Sequence, residues 1–277
     1  MDQLINNMKS NSKEDVLINI LTRTSNRPIG FLNCHQSIIQ QSYKNFNHII
    51  SYDNDNDLNY INAFDLKKIK VNKVTSDPEI KQSFIYAPYN LYCNELLKEV
   101  KNGWILFLDD DDSLLHHKVL EEAVKLIKKM DNDTMIVWQI RYPNGKTLPL
   151  KKHFKQKKIE LNHIGTSNIL FHSKYKDLAK WDEWKGADFR FINVLFNQIP
   201  KKKWIEKVNI QINNYGDFGK QNDIDNIVTN NKIFYKSWFW WLLPKYHTSF
   251  LGFRIFNKIE YKKLKKRFLN KISNIKK

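Results

Sequence analysis

The fold is decided by one stretch of sequence, Trp104-Ile105-Leu106-Phe107-Leu108-Asp109-Asp110-Asp111-Asp112. Its apolar part is short, continuous and rich in aromatic and branched side chains, which predicts a buried strand. The four carboxylates then fall at the C-terminal end of that strand, where open α/β sheets bind their ligands. Because adjacent carboxylates repel one another, we expect an oxygen-preferring divalent cation, Mg²⁺ or Mn²⁺, and a diphosphate bound through it. The alternative is a solvated acidic turn that caps a helix starting near Leu114.

The composition is that of a globular protein with one large domain and an appendage. The chain has 277 residues, of which 42% are hydrophobic, enough for a sizeable core. The two cysteines, Cys34 and Cys93, fall in predicted helices and indicate free thiols in a reducing compartment. Residues 1–15 lack the apolar run of a secretory signal, and no stretch reaches the roughly 18 apolar residues of a membrane span. We therefore expect a cytoplasmic protein.

The positive charge is concentrated at the C-terminal end of the chain. The formal net charge is +17, and residues 231–277 contribute +12 of it, because they hold 13 Lys or Arg and a single acid, Glu260. This distribution argues against nucleic acid as the partner of the whole chain. Aromatic residues mixed with lysine suit the headgroup layer of an anionic membrane, so we expect peripheral membrane contact through this tail. The alternative is that the tail packs on the preceding domain.

Strands alternate with helices up to residue 112, which is typical of a parallel sheet with helices on both faces. The predicted strands are 16–21, 46–52, 69–74, 104–108 and 134–142. The predicted helices are 28–41, 89–101, 116–130 and 188–198. Residues 53–60 are expected to form a loop, and 165–172 and 204–213 to form shorter, less regular pieces. The first helix begins at Pro28, and its predicted buried side consists of Ile29, Leu32, Ile38 and Ile39.

Four pieces of sequence, in this order, resemble a family 2 glycosyltransferase with the GT-A fold. They are the strand-loop-helix segment 18–28, the strand-end acid Asp53, the helix-Gly-strand-acid block 94–112, and the late acidic segment 184–191. The resemblance covers roughly residues 16–215 and implies a Rossmann-like, mostly parallel α/β sheet flanked by helices. The implied organisation is a disordered or loosely packed N-terminus (1–15), a GT-A domain (16–230) and a basic, helical C-terminal tail (231–277).

The resemblance also implies a metal-assisted donor site. Asp111 would bind Mn²⁺ or Mg²⁺ directly, with Asp109 reaching the metal or the ribose, so that the cation stabilises a departing diphosphate. The implied donor is a nucleotide diphospho-sugar, with a UDP-sugar favoured. The expected donor contacts are Thr22, Arg23, Thr24, Asp53, Asn94, Asp109 and Asp110. Two alternatives remain open: Asp53 is a turn acid, or Thr22 and Thr24 cap the first helix.

Asp188 is the expected general base of an inverting transfer to an acceptor hydroxyl on a glycan, a lipid-linked or a protein-linked molecule. The alternative is that Asp188 caps a helix beginning at Phe189. Trp184 and Asp112 are expected near the acceptor, with Asp112 also able to orient the metal site. Trp181 is expected in the core. Two nearby acids, Asp182 and Glu183, are rival candidates for the base.

The sequence departs from the family pattern before Asn94, where residues 87–93 contain no basic side chain. Three residues are candidates to contact the diphosphate instead: Arg23, Arg27 and Lys81. A third protein ligand to the metal is not evident, although His163, His172 and His247 are candidates. Two other functions agree less well with the sequence. Nucleic-acid binding through the tail does not explain the acids, and a sugar-phosphate nucleotidyltransferase needs a glycine-rich loop that residues 22–27 lack.

Overall fold

The computed structural model describes residues 15–72 and 87–213 of the chain. The expectations for residues 1–14, for the basic tail, and for Lys81 and His247 lie outside the described residues. The strands are β1 (Ile18–Thr24), β2 (Phe46–Tyr52), β3 (Lys67–Lys70), β4 (Trp104–Phe107), β5 (Asp112–Leu114), β6 (Thr134–Arg141), β7 (Thr147–Leu148), β8 (Ile169–His172) and β9 (Lys201–Ile212). The α-helices are α1 (Pro28–Ile39), α2 (Leu58–Ile61), α3 (Tyr92–Lys98), α4 (Val119–Ile127), α5 (Lys151–Gln156) and α6 (Ala187–Gln198).

All the described strands belong to one sheet, in the order β3-β2-β1-β4-β8-β6-β9-β5, with β7 paired to β6. The first four strands of this order run parallel to one another. The second half is mixed, because β8 is antiparallel to both β4 and β6 whereas β9 is parallel to β6 and antiparallel to β5. The predicted α/β sheet flanked by helices is confirmed.

Strand β4 is buried on both faces, as its continuous apolar sequence predicted. Trp104 and Leu106 belong to a core cluster that also contains residues of α1 and α4. Ile105 and Phe107 belong to the opposite cluster, which contains residues of α3 and α6. This alternation follows from the two-residue period of a strand. Helices on both faces therefore hold the strand that carries the acids.

Gly103 is required at the entry to β4. Its φ is +88°, and a Cβ at this position would lie 2.5 Å from the carbonyl oxygen of Leu17. Only glycine adopts this conformation without strain and permits so close an approach. The backbone N–H of Trp104 donates to the same oxygen, at 2.8 Å. The glycine thus allows β4 to start directly beside β1.

The predicted face of helix α1 is wrong. Ile38 is buried, but Ile29, Leu32 and Ile39 are 39–45% exposed. The buried residues are instead Gly30, Phe31, Cys34, His35 and Ile38. The spacing 31, 34, 35, 38 is the true helical stripe, and the buried histidine in it hid the pattern from a reading of apolar residues alone.

Several boundaries also differ from the prediction. Residues 55–61 form a 3₁₀ turn and the short helix α2 rather than a loop. The helix predicted over 89–101 begins as a 3₁₀ turn, Pro88–Leu91, and α3 ends at Lys98. Strand β5 and helix α5 were not predicted.

Both cysteines are buried free thiols, as expected. Among the described residues, none of the helices is both long and apolar enough to cross a membrane.

Candidate active site

The four acids lie in a turn at the carboxyl edge of the parallel strands. The chain leaves β4 at Phe107 and turns so that the backbone N–H of Asp112 donates to the carbonyl of Asp109 at 2.9 Å. The backbone N–H of Leu108 donates to the carbonyl of Leu21 in β1 at 3.0 Å. The acids therefore face the end of β1, which carries Arg23, and the loop that follows it, which carries Arg27.

Arg23 pairs with the most exposed acid of the turn. Its Nε donates to Oδ1 of Asp109 at 3.2 Å, and the Asp109 side chain is 45% exposed. Its Nη1 donates to Oδ1 of Asn90 at 2.7 Å, and the guanidinium lies 4.9 Å from the ring centroid of Tyr89. The Nδ2 of Asn90 in turn donates to the backbone carbonyl of Trp184 at 3.0 Å. Arg23 thereby connects the acidic turn to the segment before α6.

Arg27 pairs with the two acids that follow. Its Nη1 lies 2.9 Å from Oδ1 of Asp110 and 3.4 Å from Oδ2 of Asp111. All three side chains are largely buried, which makes this an internal ion-pair triad. Burial raises the pKa of Asp111 to about 7, the charge of Asp110 adds to that effect, and Arg27 opposes it. Burial and the charge of Asp111 also raise the pKa of Asp112 well above its usual range.

The donor set of the turn suits a hard divalent cation. Asp109 and Asp111 offer carboxylate oxygens, and Mg²⁺ is commonly held by one or two carboxylates together with substrate phosphates and water. No group of three or more metal-ligating side chains is preassembled within residues 15–72 and 87–213. The residues present therefore fit a cation that arrives with a diphosphate better than a closed protein cage.

The histidines proposed as a third ligand have other surroundings. His163 packs edge-on against His153, with ring centroids 4.8 Å apart. His172 packs edge-on against Trp104 at the other end of β4 from the acids. Neither contact connects a histidine to the acidic turn.

Asp188 lies in the first turn of α6, not at its N-cap as the capping alternative required. The helix begins at Ala187, one residue before the predicted start, and Gly186 occupies the N-cap with a φ of +79°. Burial raises the pKa of the Asp188 carboxyl, and the negative charge of Asp109 raises it further, while Arg23 opposes both effects. Asp188 and Asp109 thus belong to one electrostatic cluster, although they are 79 residues apart in the sequence.

The neighbours of Asp188 occupy distinct environments. Asp182 pairs through both oxygens with Arg190, at 2.5 and 2.6 Å, and this pairing lowers its pKa. Glu183 is half-buried, and its backbone carbonyl accepts from the N–H of Ala87 at 2.7 Å. Trp181 is in the core, stacked on Phe191. Asp182 is thereby a weaker candidate for the base.

Trp184 is half-buried, with its backbone held at both ends. Its N–H donates to Oδ1 of Asp182 at 2.9 Å, and its carbonyl accepts from Asn90 at 3.0 Å. Trp184 lies on the segment that precedes α6, the helix that carries Asp188. This position is compatible with the expected acceptor contact.

Three of the expected donor contacts are held within the protein. The Thr22 side chain is fully buried, and its hydroxyl donates to the carbonyl of Leu108 at 2.8 Å. Thr24 is also buried, with its hydroxyl 3.0 Å from that of Tyr60. The amide of Asn94 makes two hydrogen bonds, both at 2.9 Å, to the backbone of Trp181. None of the three caps α1, whose N-cap residue is Arg27.

Asp53 lies directly after β2, on the same edge of the sheet. Its Oδ2 accepts from the hydroxyl of Tyr92 at 3.0 Å, and its buried Oδ1 has no hydrogen-bond partner among the described residues. Nearby, the buried Asp57 accepts from the backbone N–H of Asn26 at 2.8 Å and from Tyr60 at 3.0 Å. Asp57 thereby holds the loop that carries Arg27.

Sequence reasoning missed Asn90, Asp57 and the double pairing of Arg27. Asn90 was noted only as part of a stretch without basic residues, and no local signal links it to Arg23. Asp57 stands in an Asn/Asp-rich segment, where one acid cannot be told from the others. The prolines, glycines and periodic apolar residues that guide such reasoning describe local structure, whereas these contacts join segments far apart in sequence.

The sequence matches no protein-family model and no curated protein. Solved structures do resemble it. TarS of S. aureus superposes with a TM-score of 0.55 and 17% identity, over 70% of this chain and 36% of TarS, so the chain spans about a third of that protein. The structure of TarS residues 1–349 in complex with UDP-GlcNAc superposes with a TM-score of 0.53 and 18% identity. The match covers 70% of this chain and 57% of the TarS chain.

A third similar structure is the mannosyltransferase PcManGT from Pyrobaculum calidifontis in complex with GDP-Man and Mn²⁺. It superposes with a TM-score of 0.52 and 11% identity, over 76% of this chain and 62% of its own. At such identities the likeness establishes the fold. The chain therefore has the mixed α/β architecture of glycosyltransferase folds.

Proposed function

We propose that this protein is a metal-dependent, inverting glycosyltransferase that uses a nucleotide diphospho-sugar, with a UDP-sugar favoured. The observation that carries the proposal is the acidic turn 109–112 at the carboxyl edge of the parallel strands, in one electrostatic cluster with Asp188. Nucleotide-sugar complexes of two proteins of similar fold support it. Ligands of α/β sheets bind at this edge.

Asp109 and Asp111 would hold Mn²⁺ or Mg²⁺, and the bound cation would act as a Lewis acid toward the departing diphosphate. Arg23 and Arg27 supply two further positive charges at the same edge, and α1 begins immediately after Arg27. Guanidinium groups bind phosphate oxygens through paired hydrogen bonds. Asp53, with one unpartnered oxygen, is suited to accept from the nucleobase or the ribose.

Asp188 would accept the proton of the acceptor hydroxyl. The acceptor oxygen forms its bond to the anomeric carbon as the bond from that carbon to the diphosphate breaks, and the diphosphate leaves with the electron pair. One displacement of this kind inverts the anomeric configuration. A raised pKa makes Asp188 a stronger base than an exposed carboxylate. The half-buried Trp184 on the adjoining segment offers an apolar face to an acceptor sugar.

Thermal-shift measurements with UDP, GDP and ATP, each with Mn²⁺ or with EDTA, test the donor class. We expect stabilisation by a nucleoside diphosphate that requires the cation. The nucleotide that stabilises best then defines a donor screen, read out as nucleotide released in the presence of candidate glycan and lipid-linked acceptors. Equal stabilisation with EDTA would contradict the metal-dependent site, and stabilisation by ATP alone would favour nucleotidyl transfer.

A further inference from the structure

Two arginines already neutralise part of the acidic turn. Arg23 contacts Asp109, and Arg27 contacts both Asp110 and Asp111. Asp111 is the residue expected to ligate the cation, yet in this structure its Oδ2 lies 3.4 Å from the guanidinium of Arg27. Carboxylates this close together and this buried need positive charge beside them. Arg27 supplies that charge where a divalent cation would also act.

The backbone of Arg27 is fixed, so that only its side chain can move. The preceding residue, Asn26, has a positive φ of 52° and donates its N–H to the buried Asp57 at 2.8 Å. The carbonyl of Arg27 accepts the first hydrogen bond of α1, from Phe31 at 2.9 Å. The residue is anchored on both sides, so a change of partner for its guanidinium requires only rotation about the side-chain bonds.

Resting on the proposed function, we propose that Arg27 is a placeholder for the cation, which holds Asp110 and Asp111 in the ligand-free protein and moves to the diphosphate when donor and cation bind. A cation bound at Asp111 repels the guanidinium, and the diphosphate offers it a new anionic partner at the same edge. Positive charge is therefore conserved next to the acids in both states. Arg23 differs, since Asn90 and Tyr89 also hold its guanidinium.

The exchange predicts that cation and nucleotide bind cooperatively. Without nucleotide, Mn²⁺ must displace the Arg27 guanidinium into water, so the affinity of the acidic turn for Mn²⁺ is low. With UDP present, the displaced guanidinium gains the diphosphate, so each ligand strengthens the binding of the other by the same factor. We expect that factor to lie in the usual range of about 5–150-fold and to fall toward 1 in Arg27→Gln. In that variant Mn²⁺ alone should bind more tightly than it does in the wild type.

The direct test follows the arginine itself. The chain contains six arginines, so the side-chain Nε–H signals of the ¹⁵N-labelled full-length protein can be assigned with Arg27→Lys and Arg23→Lys. Spectra are recorded with Mg²⁺ alone, UDP alone, and both. We expect the Arg27 signal to shift when both ligands are present and to stay close to its ligand-free position with Mg²⁺ alone. A signal that remains unchanged while calorimetry shows Mg²⁺ and UDP bound would overturn the exchange.

Calorimetric titration of Mn²⁺, with and without UDP, gives the second measurement. Lys125→Gln is the control, because it removes a positive charge from an exposed ion pair with Glu121 on α4. The control should keep the wild-type coupling. Undiminished coupling in Arg27→Gln would reject the placeholder role while leaving the transferase proposal intact. Absence of any Mn²⁺ or UDP binding to the wild type would reject both.

Discussion

At the scale of single residues, the four carboxylates of the acidic turn differ in burial and in their ion pairs. Asp112 is buried in β5, and Asp110 is buried beside Arg27. Asp109 is partly exposed, and Asp111 lies between these two conditions. A run of four identical residues thus resolves into different roles, because the turn points successive side chains in different directions. The sequence predicted a cluster, and the family resemblance implied a role for each acid, but neither could predict which acids are buried or which of them pair with Arg27.

Asp111→Ala is expected to abolish the Mn²⁺-dependent stabilisation by UDP or GDP while the protein remains folded. The physical reason is the loss of the carboxylate that is expected to bind the cation directly. Thermal shift and calorimetry measure the effect. Asp131→Ala, at an exposed ion pair with Lys201, is the matched control and should behave like the wild type. Undiminished nucleotide and Mn²⁺ binding by the Asp111 variant would show that the metal assignment is wrong.

Asp188→Asn is expected to lower turnover by about 10²–10⁴, the range for losing a general base. Asparagine keeps the shape of the side chain but cannot accept the proton, so donor affinity should stay near the wild-type value. Because the pKa of Asp188 is raised, wild-type activity should fall as the pH drops through that raised pKa, and the variant should lose this limb of the profile. Asp182→Asn, which removes a carboxylate paired with Arg190, is the comparison. Near-normal turnover by Asp188→Asn would exclude it as the base.

At the scale of elements, a buried histidine pair ties α1 to the sheet beneath the acids. His35 of α1 and His48 of β2 lie with their Nδ1 atoms 3.1 Å apart, and Nε2 of His48 lies 3.0 Å from the Thr22 hydroxyl. That hydroxyl in turn donates to Leu108, the residue before the acids. Burial lowers the pKa of His48 to about 3, and the neighbouring His35 adds to the effect. Both histidines are therefore neutral in the folded protein at pH 7.

This pair makes stability depend on pH. In the unfolded chain His48 binds a proton below its ordinary pKa of about 6.5, whereas in the folded protein it stays neutral down to about pH 3. Stability should thus fall as pH decreases below about 6.5, by up to about 1.4 kcal/mol per pH unit for this residue. Urea unfolding at several values between pH 7.5 and 5 measures the slope. The slope should be smaller in His48→Gln and unchanged in His117→Gln, an exposed site; equal slopes in all three would refute the assignment.

The elements that could be predicted are those whose pattern is local and strong. Strands β1, β2, β4 and β6 follow from segments rich in branched and aromatic residues, and α4 follows from its amphipathic period. Strand β5 could not be predicted, because its three residues begin with an aspartate and form a strand only by pairing with β9. Helix α5 is six residues long and rich in lysine, so it carries too little apolar signal. The fold class can thus be predicted from local sequence patterns, whereas the short elements form only through tertiary contacts.

At the scale of the whole molecule, the candidate site depends on segments brought together by the sheet. The acidic turn, the loop after β1, Asn90 and the start of α6 meet at one edge, although they span more than half of the chain. Sequence resemblance proposed most of these pieces in order. It could not predict that Thr22 and Asn94 are engaged in holding backbone, because their hydrogen-bond partners lie 86 and 87 residues away.

The domain is expected to carry out the transfer reaction, whereas the basic tail is expected to bind anionic membranes. Residues 231–277 carry +12 of the formal charge of +17, together with Trp238, Trp240 and Trp241. Each lysine or arginine near an anionic surface contributes about 1 kcal/mol to binding, and interfacial tryptophans add to it. Truncation after residue 230 should therefore leave transfer to a soluble acceptor intact while strongly reducing binding to anionic vesicles.

Co-sedimentation with vesicles of anionic and of zwitterionic lipid measures this difference, and high salt should weaken the anionic arm, because the attraction is screened. The residues of the candidate site lie between positions 22 and 188, so we expect the transfer reaction not to require the tail. Equal co-sedimentation of the full-length and truncated proteins would reject the membrane role. A truncated protein that unfolds would instead indicate that the tail packs on the domain and stabilises it, and its free energy of unfolding would then measure that contribution.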